Sequence, residues 1–251
     1  EVVKAKVRLV LHGNRQIKGL HHTDSSCPCL LPWQTRVMMA MAARAGATLR
    51  TLDLPQGYLW CDRQHADDEA TQTFFYLPRD VDERYQIEGV RQTYEQARNL
   101  HGSAAGGVQL FTHIEKHMLS MGFTNHPRAP CIFRHPTTGL VLGCYVDDCL
   151  CCDPNVRWSD RAGERTAAMK GSNLEALERA YDAHYPHKTG VAQQCGQKDV
   201  SWFLGCNMRQ TEQGIYLAQT TYIEAVAKKF LQLGDAQKKV RTRHKPWPDG
   251  A

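Results

Sequence analysis

Apolar and polar residues trade places along this chain with two different periods, and those periods divide it into elements. In KAKVRLV (4–10), Lys4, Lys6 and Arg8 fall on one side of an extended chain and Ala5, Val7 and Leu9 on the other, which predicts a half-buried strand with a basic face. A loop containing Gly and Ser follows. TRVMMAMAARAG (35–46) then repeats its apolar residues at helical spacing, with Gly46 placed to stop the helix. TLRTLDL (48–54) reads as a short strand, residues 62–73 as a polar surface loop and FFYL (74–77) as a further strand. In VQLFTHIEKHMLSMGF (108–123), Leu110, Ile114, Met118 and Met121 share one face of a helix ended by Gly122. IFRH and GLVLGCY (139–145) predict paired strands, and CLCC (149–152) returns after a tight turn. NLEALERAYDAHY (173–185) is a helix with Leu174, Leu177 and Tyr181 aligned. WFLGCNM and GIYLAQ (214–219) are two short strands joined by a polar turn, and TYIEAVAKKFLQLG (221–234) closes as an amphipathic helix. Helices interleaved with antiparallel strand pairs predict an α+β fold rather than a doubly wound sheet.

Composition narrows the classes. At 251 residues, with 42% hydrophobic and 23% charged residues, the chain is long enough for a sizeable core and is not a disordered polymer. No stretch approaches the roughly 18 apolar residues of a membrane span, so no membrane partner is expected. The N-terminus, EVVKAKVRLVLHGNR, has neither an initiating Met nor an apolar signal core, so a fragment that is not secreted is expected. A net charge of +5 permits a phosphate-backbone partner without demanding one. Between Lys228 and Lys245 seven Lys or Arg stand against one Asp, which reads either as a footprint for nucleic acid or as a solvated helix face with a frayed end. Of the ten cysteines only Cys149 and Cys152 have CxxC spacing, inside an apolar run with no second pair at finger-like distance. Reduced structural cysteines in an intracellular compartment are therefore expected, with a zinc-binding interaction domain as the competing reading.

The residues most suggestive of chemistry are Tyr145-Val146-Asp147-Asp148. Apolar strand enters and leaves this segment, so a hairpin turn is expected to concentrate two carboxylates at one exposed point. Like charges so close call for a neutralising cation, and an oxygen-rich, doubly anionic site suits Mg²⁺. An ordinary Asp-containing turn is the plainer reading. A third acid shifts the balance. Leu52 and Leu54 flank Asp53, so period-two geometry puts Asp53 on the face opposite two core leucines, at a strand end before a Pro/Gly loop. Three carboxylates converging there could hold two metals about 4 Å apart, the arrangement that clamps the attacking and leaving oxygens of a phosphoryl displacement.

At this point the chain resembles the reverse transcriptase domain of copia-type LTR retrotransposons. The motifs recur in the family's order over most of residues 4–246: KVRLVLHGNRQIKG (6–19), TLDLPQGYL (51–59), FFYLPRD (74–80), LHG (100–102) with its helix ending in LSMGF (119–123), YVDD, WFLG (202–205) and GIYLAQTTYIEAVAKKF (214–230). The resemblance implies an RNA-directed DNA polymerase built as a right-hand fragment. Fingers and palm would span 1–237, with an antiparallel palm sheet packed on helices, a thumb partial or absent, and a basic tail over 238–251. It further implies Asp53, Asp147 and Asp148 as the catalytic, metal-binding triad, the Leu54 carbonyl as a further oxygen ligand, and two Mg²⁺ ions, with Mn²⁺ as the alternative ion. Tyr58 matches the aromatic under the incoming sugar, Lys6 and Arg8 the cations facing the triphosphate, and Trp202, Phe203, Leu204 and Gly205 the hairpin that holds the primer. The implied partners are an RNA or DNA template with its primer and deoxynucleoside triphosphates. Ribonuclease H and integrase domains are outside this chain. The implied setting is intracellular, a cytoplasmic virus-like particle or the nucleus.

Departures from the pattern point elsewhere. After LHG the family carries a polar run that touches template and base; here Ala104, Ala105, Gly106 and Gly107 supply no side-chain hydrogen bonds, and the glycines are expected to loosen the backbone. SSCPCLLPW (25–33) departs from the acidic-aromatic run before the first palm helix, and residues 155–172 read as an insertion after the catalytic hairpin. The competing expectation is therefore a diverged, non-catalytic nucleic-acid-binding remnant that keeps the scaffold.

Overall fold

Proline at the first helical position sets where the first helix begins. Helix α1 runs Pro32–Ala45, and the Gln34 side chain reaches back to accept the Leu31 N–H at 2.8 Å. Gly46, left-handed at φ 60°, ends it as expected. The computed structural model describes residues 9–20, 22, 24–54, 57–61, 74–77, 89–90, 92–96, 98–184 and 202–232. After α1 come strand β1 (Ala47–Asp53), the one-turn helix α2 (Gly57–Trp60), the two-residue strands β2 (Phe74–Phe75) and β3 (Tyr94–Glu95), and helix α3 (Gly106–Ser120). Strands β4 (Thr124–His126), β5 (Ala129–Arg134), β6 (Val141–Tyr145) and β7 (Asp148–Arg157) follow, then helices α4 (Ala162–Met169) and α5 (Asn173–His184). The last described elements are β8 (Trp202–Phe203), β9 (Cys206–Thr211), β10 (Gly214–Ala218) and α6 (Thr220–Gln232).

Among the described residues, a five-stranded antiparallel sheet in the order β1-β7-β6-β5-β4 forms the centre. Strand β7 shows why. Cys149 and Cys151 join a core with Leu110, Ile114 and Met118 of α3 and Leu174, Leu177 and Tyr181 of α5. Leu150 and Cys152 join a second core with Met38, Met39 and Ala42 of α1 and Phe203 and Met208 of the C-terminal strands. A strand buried on both faces reads as a continuous apolar run, which is what CLCC is. α1 comes so close to the sheet that a Cβ on Gly143 would stand 2.6 Å from the Met38 sulfur.

Two polar devices tie the outer layers to β1. Gln210 of β9 donates to the Ala47 carbonyl at 2.6 Å and accepts the Leu49 N–H at 3.0 Å, satisfying backbone groups on the edge of the sheet. On the other side Arg50 meets Glu178 of α5 at 3.2 Å. Burial pushes the Glu178 carboxyl up while the guanidinium draws it back.

The α+β expectation holds, with corrections. α1 and α3 begin earlier than periodicity indicates, α3 through Gly106 and Gly107 themselves. Those glycines form a helical turn instead of a loosened loop, because there they lie against Tyr58 and Cys27. FFYL is strand only at its first two residues. WFLGCNM is two strands, split by a turn at Leu204 and Gly205, both at positive φ (48° and 79°) as a two-residue hairpin requires. Residues 155–172 lengthen β7 and form α4. The basic strand at Lys6 and Arg8, the polar loop 62–73 and the tail 238–251 lie outside the described residues.

α5 docks on α3 through aromatic contacts. His117 stacks on His184 at 3.7 Å with the rings 16° from parallel, and His113 and Tyr181 flank the stack at 6.0 and 6.2 Å. Burial, then the neighbouring His184 and His113, push the His117 imidazole down to about 4. A base whose pKa is depressed by folding contributes stability above its unfolded value near 6.5, and loses it as pH falls toward 4. Thermal melts across pH 7 to 4 are expected to show this loss, about 2–4 °C per kcal/mol, and His117→Gln is expected to flatten the slope over that window.

Candidate active site at the Asp147–Asp148 turn

Strand register brings the acids together. Asp53, the last residue of β1, is the ladder partner of Asp148, the first residue of β7. Asp148 in turn pairs with Tyr145 across the β6–β7 hairpin. One residue beyond the β1 ladder, the Leu54 N–H donates to the Asp147 carbonyl at 2.9 Å. The backbones of all three acids therefore meet at one end of the sheet, with Asp53 at the strand end where the reading of TLDL puts it. Leu52 and Leu54 are buried, again as expected. The Asp53 side chain is outside the described atoms.

The turn itself is strained. Val146 sits at φ 56°, a region that β-branched residues almost never occupy. Such a conformation costs about 1–3 kcal/mol and persists only where its surroundings over-determine it. Here they are the paired strands on both sides, the Leu54–Asp147 hydrogen bond and the packing of Val146 against the first core. Tyr145 and Asp148 are exposed and Asp147 is half-buried, so the turn offers its acids to solvent from a rigid base.

Tyr58 stands beside this end. Burial first, and then the Asp147 charge, push its phenol up. Its ring makes an edge contact with His101 at 5.0 Å, and a Cβ on Gly106 would stand 3.0 Å from two of its ring carbons. Gly57, at the start of the same helical turn, donates to the Leu54 carbonyl at 3.2 Å. A carbonyl has two lone pairs, so that bond leaves the Leu54 oxygen a second acceptor site. Two motifs distant in sequence lock the neighbouring loops. Leu11 N–H donates to the His101 carbonyl at 2.8 Å, and a Cβ on Gly13 or Gly102 would overlap the opposing backbone carbonyl. Ala104 N–H is accepted by the Gln16 side chain at 2.7 Å.

A family model described as reverse transcriptase (RNA-dependent DNA polymerase) matches residues 1–170 of the chain. The chain belongs to that family. It is also similar to the retrovirus-related Pol polyprotein from transposon TNT 1-94 of Nicotiana tabacum, 24% identical over 235 residues. That match covers 92% of this chain and 15% of the polyprotein, so the chain spans about one seventh of the relative's length. No solved structure matches.

Trp202 and Phe203 form β8, and Leu204 and Gly205 its turn. Phe203 is buried in the second core, whereas Leu204 and Gly205 are half-buried. The described cysteines are buried or half-buried thiols. Burial pushes Cys27 up to about 11 and Cys131 up to about 12, with Cys29 adding to both. Among the described residues no three His, Cys, Asp or Glu side chains are grouped to hold a metal ion. Sequence reasoning missed the contact of Gly106 with Tyr58 and the interlock of Gly13 with Gly102. The repeated Leu-His-Gly triplets at 11–13 and 100–102 were a signal for the second; nothing local signals the first.

Filling Gly106 tests the packing under Tyr58. Gly106→Leu is expected to destabilise by about 1–3 kcal/mol through overpacking. Adding Tyr58→Ala is expected to recover part of that loss, read as the coupling in a four-variant cycle of thermal melts.

Proposed function

We propose that this chain is an RNA-directed DNA polymerase domain of a copia-type element, with Asp53, Asp147 and Asp148 as its catalytic carboxylates. The observation that carries the reading is the ladder pairing of Asp53 with Asp148, closed by the Leu54–Asp147 hydrogen bond. Ladder partners share a face of the sheet, so this register supports a common anionic pocket. The donor set fits a hard divalent cation: carboxylate oxygens and the Leu54 carbonyl, at a strand end with exposed Asp148. Reverse transcriptases as a family use divalent metals. Bound Mg²⁺ or Mn²⁺ would supply Lewis-acid activation of the primer 3′-hydroxyl and neutralise triphosphate charge.

The protein's own part is positioning. The paired strands fix the backbones of the three acids relative to one another, so little reorganisation would be needed as charge develops. Tyr58 packs against His101 and Gly106, and a ring held so would exclude a 2′-hydroxyl and select deoxynucleotides. Lys6 and Arg8 would face the triphosphate, and the Trp202-Phe203-Leu204-Gly205 hairpin would hold the primer through its turn. Template, primer and deoxynucleoside triphosphates are then the partners, with fingers and palm spanning 1–237, the basic tail 238–251 as added electrostatic grip, and a virus-like particle or nucleus as the setting.

A second reading has one specific observation in its favour. Ala105, which precedes helix α3, makes no side-chain capping bond, and the helix opens on two glycines where the family carries polar residues. That arrangement favours a scaffold that binds nucleic acid without turnover. Primer extension on poly(rA)/oligo(dT) with Mg²⁺ separates the two. Incorporation lost on Asp147→Asn supports catalysis, and binding without incorporation by the unmodified chain overturns it. Asp148→Ala is expected to lower incorporation by about three orders of magnitude with an unchanged melting temperature; a markedly earlier melt would make the acid structural. Tyr58→Val is expected to admit ribonucleotides, read as the ratio of dNTP to NTP incorporation, and an unchanged ratio removes Tyr58 from that role.

A further inference from the structure

Two thiols bracket the acidic turn, and neither takes part in the chemistry proposed above. Cys144 precedes Tyr145 and Cys149 follows Asp148, and they face each other directly across β6 and β7. Their sulfurs are 2.9 Å apart, within about one ångström of the bonded distance of 2.03–2.05 Å. Both side chains are buried, at 3% and 0% exposure. Residues 145 and 148 close a two-residue loop, so the next pair out is a non-hydrogen-bonded position of the ladder. At such positions Cα atoms lie about 4.5 Å apart, inside the 4.4–6.8 Å range of disulfides. The neighbouring thiols lack this register: Cys151 faces Leu142, and Cys152 faces Val141.

We propose that Cys144 and Cys149 form a reversible disulfide across the hairpin that carries Asp147 and Asp148, made by a peroxide-class oxidant, and that the bond suspends nucleotide incorporation. Peroxide oxidises one thiol to a sulfenic acid and releases one water. The second sulfur attacks that sulfenic sulfur; the S–S bond forms, the S–O bond breaks, and the oxygen leaves as a second water with the remaining thiol proton. A dithiol reductant reverses the change, returning a proton to each protein sulfur and ending as its own cyclic disulfide. Burial makes the step slow in the closed hairpin, so a small oxidant is required rather than a protein or a bulky disulfide.

The consequence for the turn follows from position. A disulfide fixes a dihedral near ±90° about its S–S bond, and closing the sulfurs from 2.9 Å to bonding distance draws in and twists the two strands at this pair. The twist falls one residue from the Tyr145–Asp148 pair and two from Val146, already at positive φ. Asp148 is thereby moved relative to Asp53, its ladder partner on the other side. This effect on incorporation rests on the polymerase reading above; formation of the bond does not.

The folded chain is treated with hydrogen peroxide, remaining thiols are alkylated, and the protein is cleaved with trypsin and an Asp-specific protease, which cuts between the two cysteines. Peptides containing Cys144 and Cys149 are expected to be linked and separated by dithiothreitol, and the link is expected to vanish in both Cys144→Ala and Cys149→Ala. Incorporation in the primer-extension assay is expected to fall at least tenfold on oxidation, return with dithiothreitol, and resist peroxide in either variant. No link in the folded protein, or a link from Cys144 to Cys151 or Cys152, overturns the proposal. A correct link without loss of incorporation overturns the control it assigns. If the reduced chain incorporates nothing, the polymerase reading fails, while the mass measurement still decides whether the bond forms.

Discussion

The pairing of β7 with β1 on one side and β6 on the other is the constraint from which the rest of this molecule follows. It aligns Asp53 with Asp148, brings the Leu54 N–H to the Asp147 carbonyl, and leaves two residues to close the hairpin. A slip of one residue in either ladder would turn every side chain of that strand to the opposite face. Apolarity alone does not prevent such a slip, since both faces of β7 are apolar; the fit of each face to different partners and the two-residue β6–β7 hairpin do. Cys149 and Cys151 must meet α3 and α5, and Leu150 and Cys152 must meet α1 and the C-terminal strands. Acid placement is thus a by-product of core burial, which is why the site can keep a strained Val146 at its tip.

The outer layers serve the same sheet by different means. α1 sits on Gly143, where a side chain would push it away. Gln210 finishes the edge of β1 as a strand would, using one amide to satisfy an acceptor and a donor. The Arg50–Glu178 pair holds α5 on the other face, but its desolvation cost makes it a weaker stabiliser than its burial suggests. Near the acidic turn, helix α3 gains its position from contact and not from capping: Gly106 lies under Tyr58, and Gly107 offers its carbonyl to the Cys27 thiol at 3.1 Å. Gly106, which counts against catalysis by composition, is thus also the residue that leaves room for the Tyr58 ring.

Much of the scaffold was legible in residue periodicity. The cores of α1, α3 and α5, the alternation around Asp53, and the turn at Val146 and Asp147 all followed from short-range patterns, since each depends on burial of one face or one strand end. Element ends were less legible. Pro32 and the glycines of α3 lie outside the apolar repeat yet belong to the helices, and WFLGCNM, one strand by periodicity, is split at the Leu204–Gly205 turn that only the resemblance to a hairpin indicates. Family membership was readable in motif order, in agreement with the match over residues 1–170.

The sequence by itself determined the α+β class, the apolar strands that flank Asp147 and Asp148, the position of Asp53 at a strand end, and the family. These are local facts, set by side-chain period and by the order of short motifs. Tertiary structure alone decided that Asp53 faces Asp148 and not a neighbour, that Tyr58 rests on Gly106, that Gly13 and Gly102 interlock, and that Cys144 meets Cys149. All but the last of these contacts join residues 40 or more apart along the chain. They depend on which strands pair and how closely two backbones approach, and neither quantity is encoded in the pattern of any one segment.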